Sequence, residues 1–153
     1  MVIGHGRVGQ RITAALAAKG IPSIVADESR EAVERLRESG SQAVYGNATE
    51  PATLIQAHVA HARMLVVATP ETIEVRQMVR VARTLNPGIA VVLRSHNVEE
   101  ADLLTSEGAG RVFVGEDTLA TAMIRYVVSV VEGRDPPDGG AGWNGMPTTG
   151  DKP

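Results

Sequence analysis

The chain has 153 residues, enough for one domain and too few for a cofactor domain with a separate substrate domain. Its net charge of -3 offers no broad basic face for nucleic acid or anionic lipid. Without cysteine it has no disulfide, thiolate nucleophile or Cys-ligated metal, and it has no apolar run of membrane-spanning length. We therefore expect a cytoplasmic protein that inserts into no membrane and binds no nucleic acid.

A glycine-punctuated turn comes first along the chain. Gly4, Gly6 and Gly9 form G-x-G-x-x-G between a strand remnant, Met1–Ile3, and a helix that begins near Arg7. The first glycine permits the turn, the second lets a phosphate approach the main chain, and the third lets helix and strand pack closely. Free amides and the dipole at the helix start attract that phosphate. The pattern predicts a nucleotide site; the alternative is a turn that serves only the fold.

Asp27 ends the second strand, 18 residues beyond Gly9. Its carboxylate can accept hydrogen bonds from both ribose hydroxyls and would repel a 2′-phosphate. We therefore predict an NAD-type or adenosine-containing ligand, and not NADP. The alternative is that Asp27 caps the following helix.

The segment "GNAT" follows the third strand and places Asn47 and Ala48 beside the expected adenine position. The Asn47 amide could read the edge of the base, or it could cap a helix that begins near Pro51. The two roles can coexist.

Strand and helix patterns alternate along the rest of the chain, with short loops between them. Helix boundaries are predicted by Thr69 with Pro70, by Asn97 as a cap, and by Gly20, Gly40 and Gly108 as helix ends. This alternation predicts an α/β fold, a doubly wound parallel six-stranded sheet with helices on both faces. After the first remnant, the strand segments are Ile24–Ala26, Ala43–Tyr45, Met64–Ala68, Ala90–Leu93 and Arg111–Val114.

No catalytic or metal-binding signature emerges. Neither tyrosine is followed four residues later by lysine, and His58 and His61 are interpreted as solvated turn residues. Arg94 and His96 end the fifth strand, where Arg94 either pairs with an anion or is a plain surface arginine. A further set is interpreted as a solvated helical face: Arg76, Arg80 and Arg83, with Glu74 nearby.

The C-terminal part departs from the regular pattern. Apolar residues cover more than one side of the segment Asp117–Glu132, which predicts a subunit interface; the alternative is that its valines are simply half exposed. Residues 133–153 contain six glycines and four prolines, so we expect a disordered tail in which Trp143 is incidental.

The sequence resembles the cytosolic nucleotide-binding domain of Kef-type monovalent cation:proton antiporters, the TrkA-N or RCK N-terminal family. The resemblance covers residues 1–132, and is closest to members with "GNA" after the third strand and arginine-x-histidine after the fifth. It rests on the segments "VIGHGRVGQRI", "IPSIVADESREAVERLRESGSQAVYGNATEPATL", "RMLVVATPETIEVRQMVRVARTLNP" and "VLRSHNVEEADLLTSEGAGRVFVGE".

The resemblance implies a Rossmann-like fold, a bound NAD(H), AMP or other adenine nucleotide, and a homodimer that controls a membrane antiporter domain or subunit at the inner face of the cell membrane. The ligand residues it implies are Gly4, Gly6, Arg7, Val8, Gly9, Asp27, Asn47, Ala48 and Thr69. Two positions differ from the common pattern, because His5 replaces an aromatic residue and Asn47 an aspartate.

The first strand is short for a central strand, from which we expect that upstream sequence precedes Met1 in the whole protein. Because no catalytic group is evident and no residues remain for a substrate domain, we expect a domain that senses its nucleotide and is not an enzyme. The resemblance implies that this domain regulates the transport of potassium or another monovalent cation. The alternative is a small NAD-dependent oxidoreductase, or its cofactor-binding fragment.

Overall fold

The computed structural model describes residues 1–69 and 72–134. Pro70, and residues 135–153 of the predicted tail, lie outside the described residues. The chain divides into two units, Met1–Glu116 and a second that begins at Asp117, and each is described by itself. The domain boundary at residue 132 stays a prediction.

Strands and helices alternate through the described residues, as the sequence predicts. The fifth strand continues two residues beyond the predicted Leu93, because Arg94 and Ser95 pair with the sixth strand. The elements are β1 (Val2–Ile3), α1 (Arg7–Ala18), β2 (Ile24–Asp27), α2 (Arg30–Glu38), β3 (Gln42–Tyr45), α3 (Pro51–Gln56), a 3-10 turn (Val59–His61), β4 (Met64–Val67), α4 (Thr72–Leu85), β5 (Ala90–Ser95), α5 (Val98–Ser106), β6 (Arg111–Val114) and α6 (Gly115–Val131).

All six strands form one parallel sheet in the order β3-β2-β1-β4-β5-β6. This confirms the doubly wound, Rossmann-like fold. The chain first moves outward from β1 to β3, then crosses back to β4 and moves outward in the other direction. The reversal lies between β1 and β4, at the carboxyl edge where open α/β sheets bind ligands.

The sheet register divides the core between two faces. Ile3 pairs with Val67, and both belong to a buried cluster completed by residues of α3, α4 and α5. Val25 lies on the opposite side of the pleat and packs with Val33 and Leu36 of α2. The strands therefore bury both faces, and helices cover both faces as predicted.

The predicted helix ends are confirmed at several positions. The Asn97 side chain accepts a hydrogen bond from an amide in the first turn of α5. Gly20, Gly40 and Gly108 follow α1, α2 and α5 with φ of +66°, +81° and +66°, a conformation in which side-chain-bearing residues are strained.

Helix α6 exposes a large apolar surface within the second unit. The exposed residues are Leu119, Met123, Ile124, Tyr126, Val127, Val128, Val130 and Val131. Such a surface exceeds the scattered apolar residues of an ordinary helix.

In the part of the chain that the structure describes, no helix combines the length and apolarity needed to span a membrane.

Candidate functional site

The carboxyl edge of the sheet brings together the loops that carry the predicted ligand residues. The Gly4 amide donates to the Ala26 carbonyl at 2.9 Å, and the Gly46 amide donates to the Asp27 carbonyl at 3.1 Å. Loops that follow β1, β2 and β3 therefore leave the sheet side by side. The loop after β4 joins them, because Thr69 lies against Gly4.

Two of the three glycines in the turn are required by the fold itself. Gly4 has φ of +86°, and a Cβ added there would lie 2.5 Å from the Thr69 Cγ2. A Cβ added at Gly9 would lie 2.0 Å from the Gly4 carbonyl oxygen. A side chain at Gly4 would therefore strain the backbone and displace Thr69, and a side chain at Gly9 would push α1 away from the loop that follows β1.

Gly6 differs from the other two, because the protein leaves open space around it. No atom lies within 4 Å of the position that its Cβ would take. Its φ of -71° and ψ of -168° are also accessible to any residue. Nothing in the described fold requires glycine here, whereas a phosphate approaching the main chain would.

The N-terminus of α1 has the properties of an anion site. The first hydrogen bond of the helix joins the Gln10 amide to the Gly6 carbonyl at 2.9 Å. The amides of Arg7, Val8 and Gly9 come before it in the chain and therefore have no carbonyl partner within the helix. No side chain caps this end, and the first turn contains no acidic residue. The amides and the positive end of the helix dipole therefore remain available for an anionic group.

The Asp27 carboxylate is held at the same edge by two main-chain amides. Its Oδ2 accepts from the His5 amide at 2.5 Å, and its Oδ1 accepts from the Ser29 amide at 2.7 Å. A carboxylate offers about four acceptor positions, so two stay open for hydroxyl donors. The alternative in which Asp27 caps α2 is wrong, since Ser29 is the cap and its side chain accepts from Ala32.

Asn47 shapes its own turn. Its Oδ1 accepts from both the amide and the hydroxyl of Thr49, whereas the residue at the cap position of α3 is Glu50. The alternative in which Asn47 caps α3 is therefore wrong. Asn47 Nδ2 makes no hydrogen bond with the described residues, so a base would be read through this donor. Ala48 is buried in the core, which leaves only its main chain for a ligand.

The predicted start of α4, with Thr69 as cap and Pro70 in the first turn, falls partly outside the described residues and stays a prediction. The Oγ1 of Thr69 is buried and has no partner among residues 1–69 and 72–134. The Nδ1 of His5 is likewise buried without a partner in the described part of the chain. The contact of His5 with Asp27 was missed from the sequence, although its place between two loop glycines was a usable signal. Within the described residues, the Thr69 hydroxyl and the His5 Nδ1 are thus open to a water or ligand partner.

Other predicted polar residues lie apart from this set. Arg94 is half-buried and His96 is exposed, at the end of β5 and two strands away from the glycine turn. His58 and His61 are exposed beside the 3-10 turn, as expected for solvated residues. Among the described residues, no group of three or more His, Cys, Asp or Glu side chains could hold a metal ion.

The strand order, with its switch point beside β1, defines a Rossmann-like α/β domain. The TrkA-N domain family matches residues 1–115, and the chain belongs to that family.

Curated relatives agree with this assignment. The chain is 36% identical over 127 residues to YbaL of Escherichia coli K12, assigned as a cation/proton antiporter, covering 83% of this chain and 23% of the relative. It is 28% identical over 111 residues to the glutathione-regulated potassium-efflux system protein KefC of Cronobacter sakazakii, covering 72% of this chain and 18% of that relative. The chain thus spans about a fifth of the length of these relatives. The predicted resemblance to Kef-type antiporter domains is confirmed.

Solved structures share the fold. The crystal structure of the TrkA-N domain of the Escherichia coli inner membrane protein YbaL has a TM-score of 0.76 and 36% identity, covering 80% of this chain and 91% of that one. The Kef C-terminal domain of Shewanella denitrificans, in an AMP-bound form, has a TM-score of 0.72 and 20% identity, covering 88% and 81%. The GsuK channel bound to NAD has a TM-score of 0.68 and 19% identity, covering 82% and 22%.

Proposed function

We propose that this chain is the regulatory nucleotide-binding domain of a potassium or monovalent cation:proton antiporter. The observation that carries the proposal is the uncapped N-terminus of α1, open at Gly6, beside an Asp27 carboxylate held by two amides. Membership of the TrkA-N family and the relationship to YbaL and KefC supply the transport context.

The proposed ligand lies across the switch point of the sheet. Its phosphate accepts hydrogen bonds from the amides of Arg7 and Val8, above the open face of Gly6. Its ribose hydroxyls donate to the two unused acceptor positions of Asp27, and the adenine faces Asn47 Nδ2 and the main chain of Ala48. Thr69 closes this pocket from the loop after β4, where its hydroxyl, which has no partner among residues 1–69 and 72–134, can reach the ligand.

The proposed ligands are NAD(H), AMP or another adenine nucleotide. The Kef domain and the GsuK channel, which share the fold, are described with AMP and with NAD. A ribose 2′-phosphate would face the Asp27 carboxylate directly, and the repulsion between the two anions disfavours NADP.

A thermal-shift panel of NAD, NADH, NADP, AMP, ADP and ATP tests this assignment. A ligand at 100 times its Kd stabilises the folded chain by about 2.7 kcal/mol. For a chain of this size, that raises Tm by roughly 5–10 °C. We expect this shift with at least one adenine nucleotide and none with NADP at equal concentration. A panel without any shift would contradict the proposal.

The domain is proposed to sense its ligand without reacting it. The relatives it matches are transport proteins, and neither tyrosine of the chain is followed four residues later by lysine. Ligand binding would instead favour one arrangement of the protein, which the antiporter reads. Incubation with NADH and a panel of carbonyl substrates, monitored at 340 nm as is usual for NADH, should leave the cofactor unoxidised. Turnover would favour the oxidoreductase alternative.

The domain is further proposed to act as a homodimer at the inner face of the membrane, joined to the antiporter's membrane portion. Helix α6 supports the homodimer, because its exposed apolar residues would be covered by the same helix of a second copy. YbaL is described as an inner membrane protein, which supports the location.

A further inference from the structure

A second cleft, of about 440 Å³, lies between α4 and the loop that joins α5 to β6. Because this loop enters β6, the cleft lies near the edge where the strands begin, at the other end of the sheet from the glycine turn. Its floor is formed by Val79 and Ala109, which are almost fully buried. Its wall is formed by Arg76, Arg80 and Arg83, with Glu107.

Two of these arginines are fixed by neighbouring elements. The Nε of Arg76 donates to Glu107 Oε2 at 2.8 Å, and this hydrogen bond raises the pKa of Arg76 above its ordinary value. The Nη2 of Arg83 donates to the Ala109 carbonyl at 3.0 Å. The expected solvated face beside Glu74 is therefore wrong for these two residues, since each contacts the α5 side of the cleft.

Arg80 stands between them and is exposed. Its guanidinium makes no hydrogen bond or ion pair within residues 1–69 and 72–134. It lies one helical turn from Arg76 and one from Arg83, a spacing at which like charges repel. Three arginines against the single Glu107 give this cleft a local charge of +2, in a chain whose net charge is -3. A bound anion would relieve that repulsion.

We propose that this cleft binds a small organic anion with two or more carboxylate or phosphate groups. Its volume falls within the range of about 300–1000 Å³ for small-molecule sites. The apolar floor of Val79 and Ala109 suits a carbon skeleton, and the free Arg80 guanidinium can bind a carboxylate or phosphate through two parallel hydrogen bonds. The site is independent of the nucleotide pocket, so the failure of either proposal leaves the other standing.

The test is an NMR titration of the full ¹⁵N-labelled chain at constant ionic strength. Citrate serves as the tricarboxylate probe, fructose 1,6-bisphosphate as the organic phosphate probe, and sulfate as the inorganic control. We expect citrate or the bisphosphate to shift the amide signals of Arg80 and Ala109 and to bind more tightly than sulfate. The tighter of the two identifies the class of anion.

Matched variants locate the binding. Arg80→Ala should weaken the binding of the tighter probe about fivefold, as expected for an exposed charged pair. Arg80→Lys should weaken this binding less. Arg35→Ala removes the same charge from α2, on the other face of the sheet, and should leave the affinity unchanged. Equal binding of sulfate and both organic probes, equal effects of the two alanine variants, or shifts confined to Gly6 and its neighbours would overturn the proposal.

Discussion

Gly6→Ala is the substitution that best separates ligand binding from folding. The added methyl group enters space with no atom within 4 Å, at backbone angles that alanine adopts freely. Lower entropy of the unfolded chain stabilises the variant by about 0.4–1 kcal/mol. Alanine is a poorer N-cap than glycine, which costs about the same amount. The free energy of unfolding should therefore change little, and Tm by less than about 2 °C.

The same methyl group lies where the phosphate must approach the amides of α1. Losing one hydrogen bond to a charged group costs about 1.5–3 kcal/mol, which weakens the Kd roughly 10- to 150-fold. Isothermal titration calorimetry with AMP and NADH, beside a thermal melt of each protein, measures both quantities. We expect weak binding by a chain of ordinary stability.

Gly9→Ala provides the contrast. Its methyl group would lie 2.0 Å from the Gly4 carbonyl oxygen, so it should lower stability by about 1–3 kcal/mol even without ligand. Unchanged affinity in Gly6→Ala would refute the role of Gly6 in phosphate binding. A loss of stability in Gly6→Ala as large as that in Gly9→Ala would refute it as well.

Further substitutions test the sugar contact and the apolar helix. Asp27→Ala should weaken the binding of AMP and NADH by about tenfold or more, because the ribose loses a charged acceptor. Asp102→Ala, at an exposed position of α5, should bind both ligands normally in the same calorimetric assay. Equal affinities of the two variants would exclude the role of Asp27 in ribose binding. Val127→Glu should convert the proposed dimer to a monomer in light scattering, whereas the exposed Val98→Glu in α5 should not; a monomeric unsubstituted chain would exclude the dimer.

The fold was predictable because its signals are local. Each strand, helix end and glycine turn is encoded within a few adjacent residues, and the alternation of elements then restricts the topology to few choices. Asp27 could be located for the same reason, since the end of a short apolar strand shows in the pattern. These predictions needed no knowledge of which loops approach each other.

The missed features depend on contacts between distant segments. The Asp27 carboxylate meets the His5 amide only because β1 and β2 are neighbours in the sheet. Arg76 pairs with Glu107, 31 residues away, in preference to Glu74 on its own helix. The cap role of Asn47 was predicted wrongly for a different reason: turn and cap residues share the same side-chain chemistry, and only the structure shows that the Oδ1 of Asn47 accepts from Thr49.

A crystal structure of the chain with AMP or NADH tests the central claim most directly. We predict a phosphate within hydrogen-bonding distance of the Arg7 and Val8 amides, above Gly6, with the ribose hydroxyls on Asp27. A nucleotide bound at another surface, or a ribose that leaves the Asp27 carboxylate untouched, would contradict it.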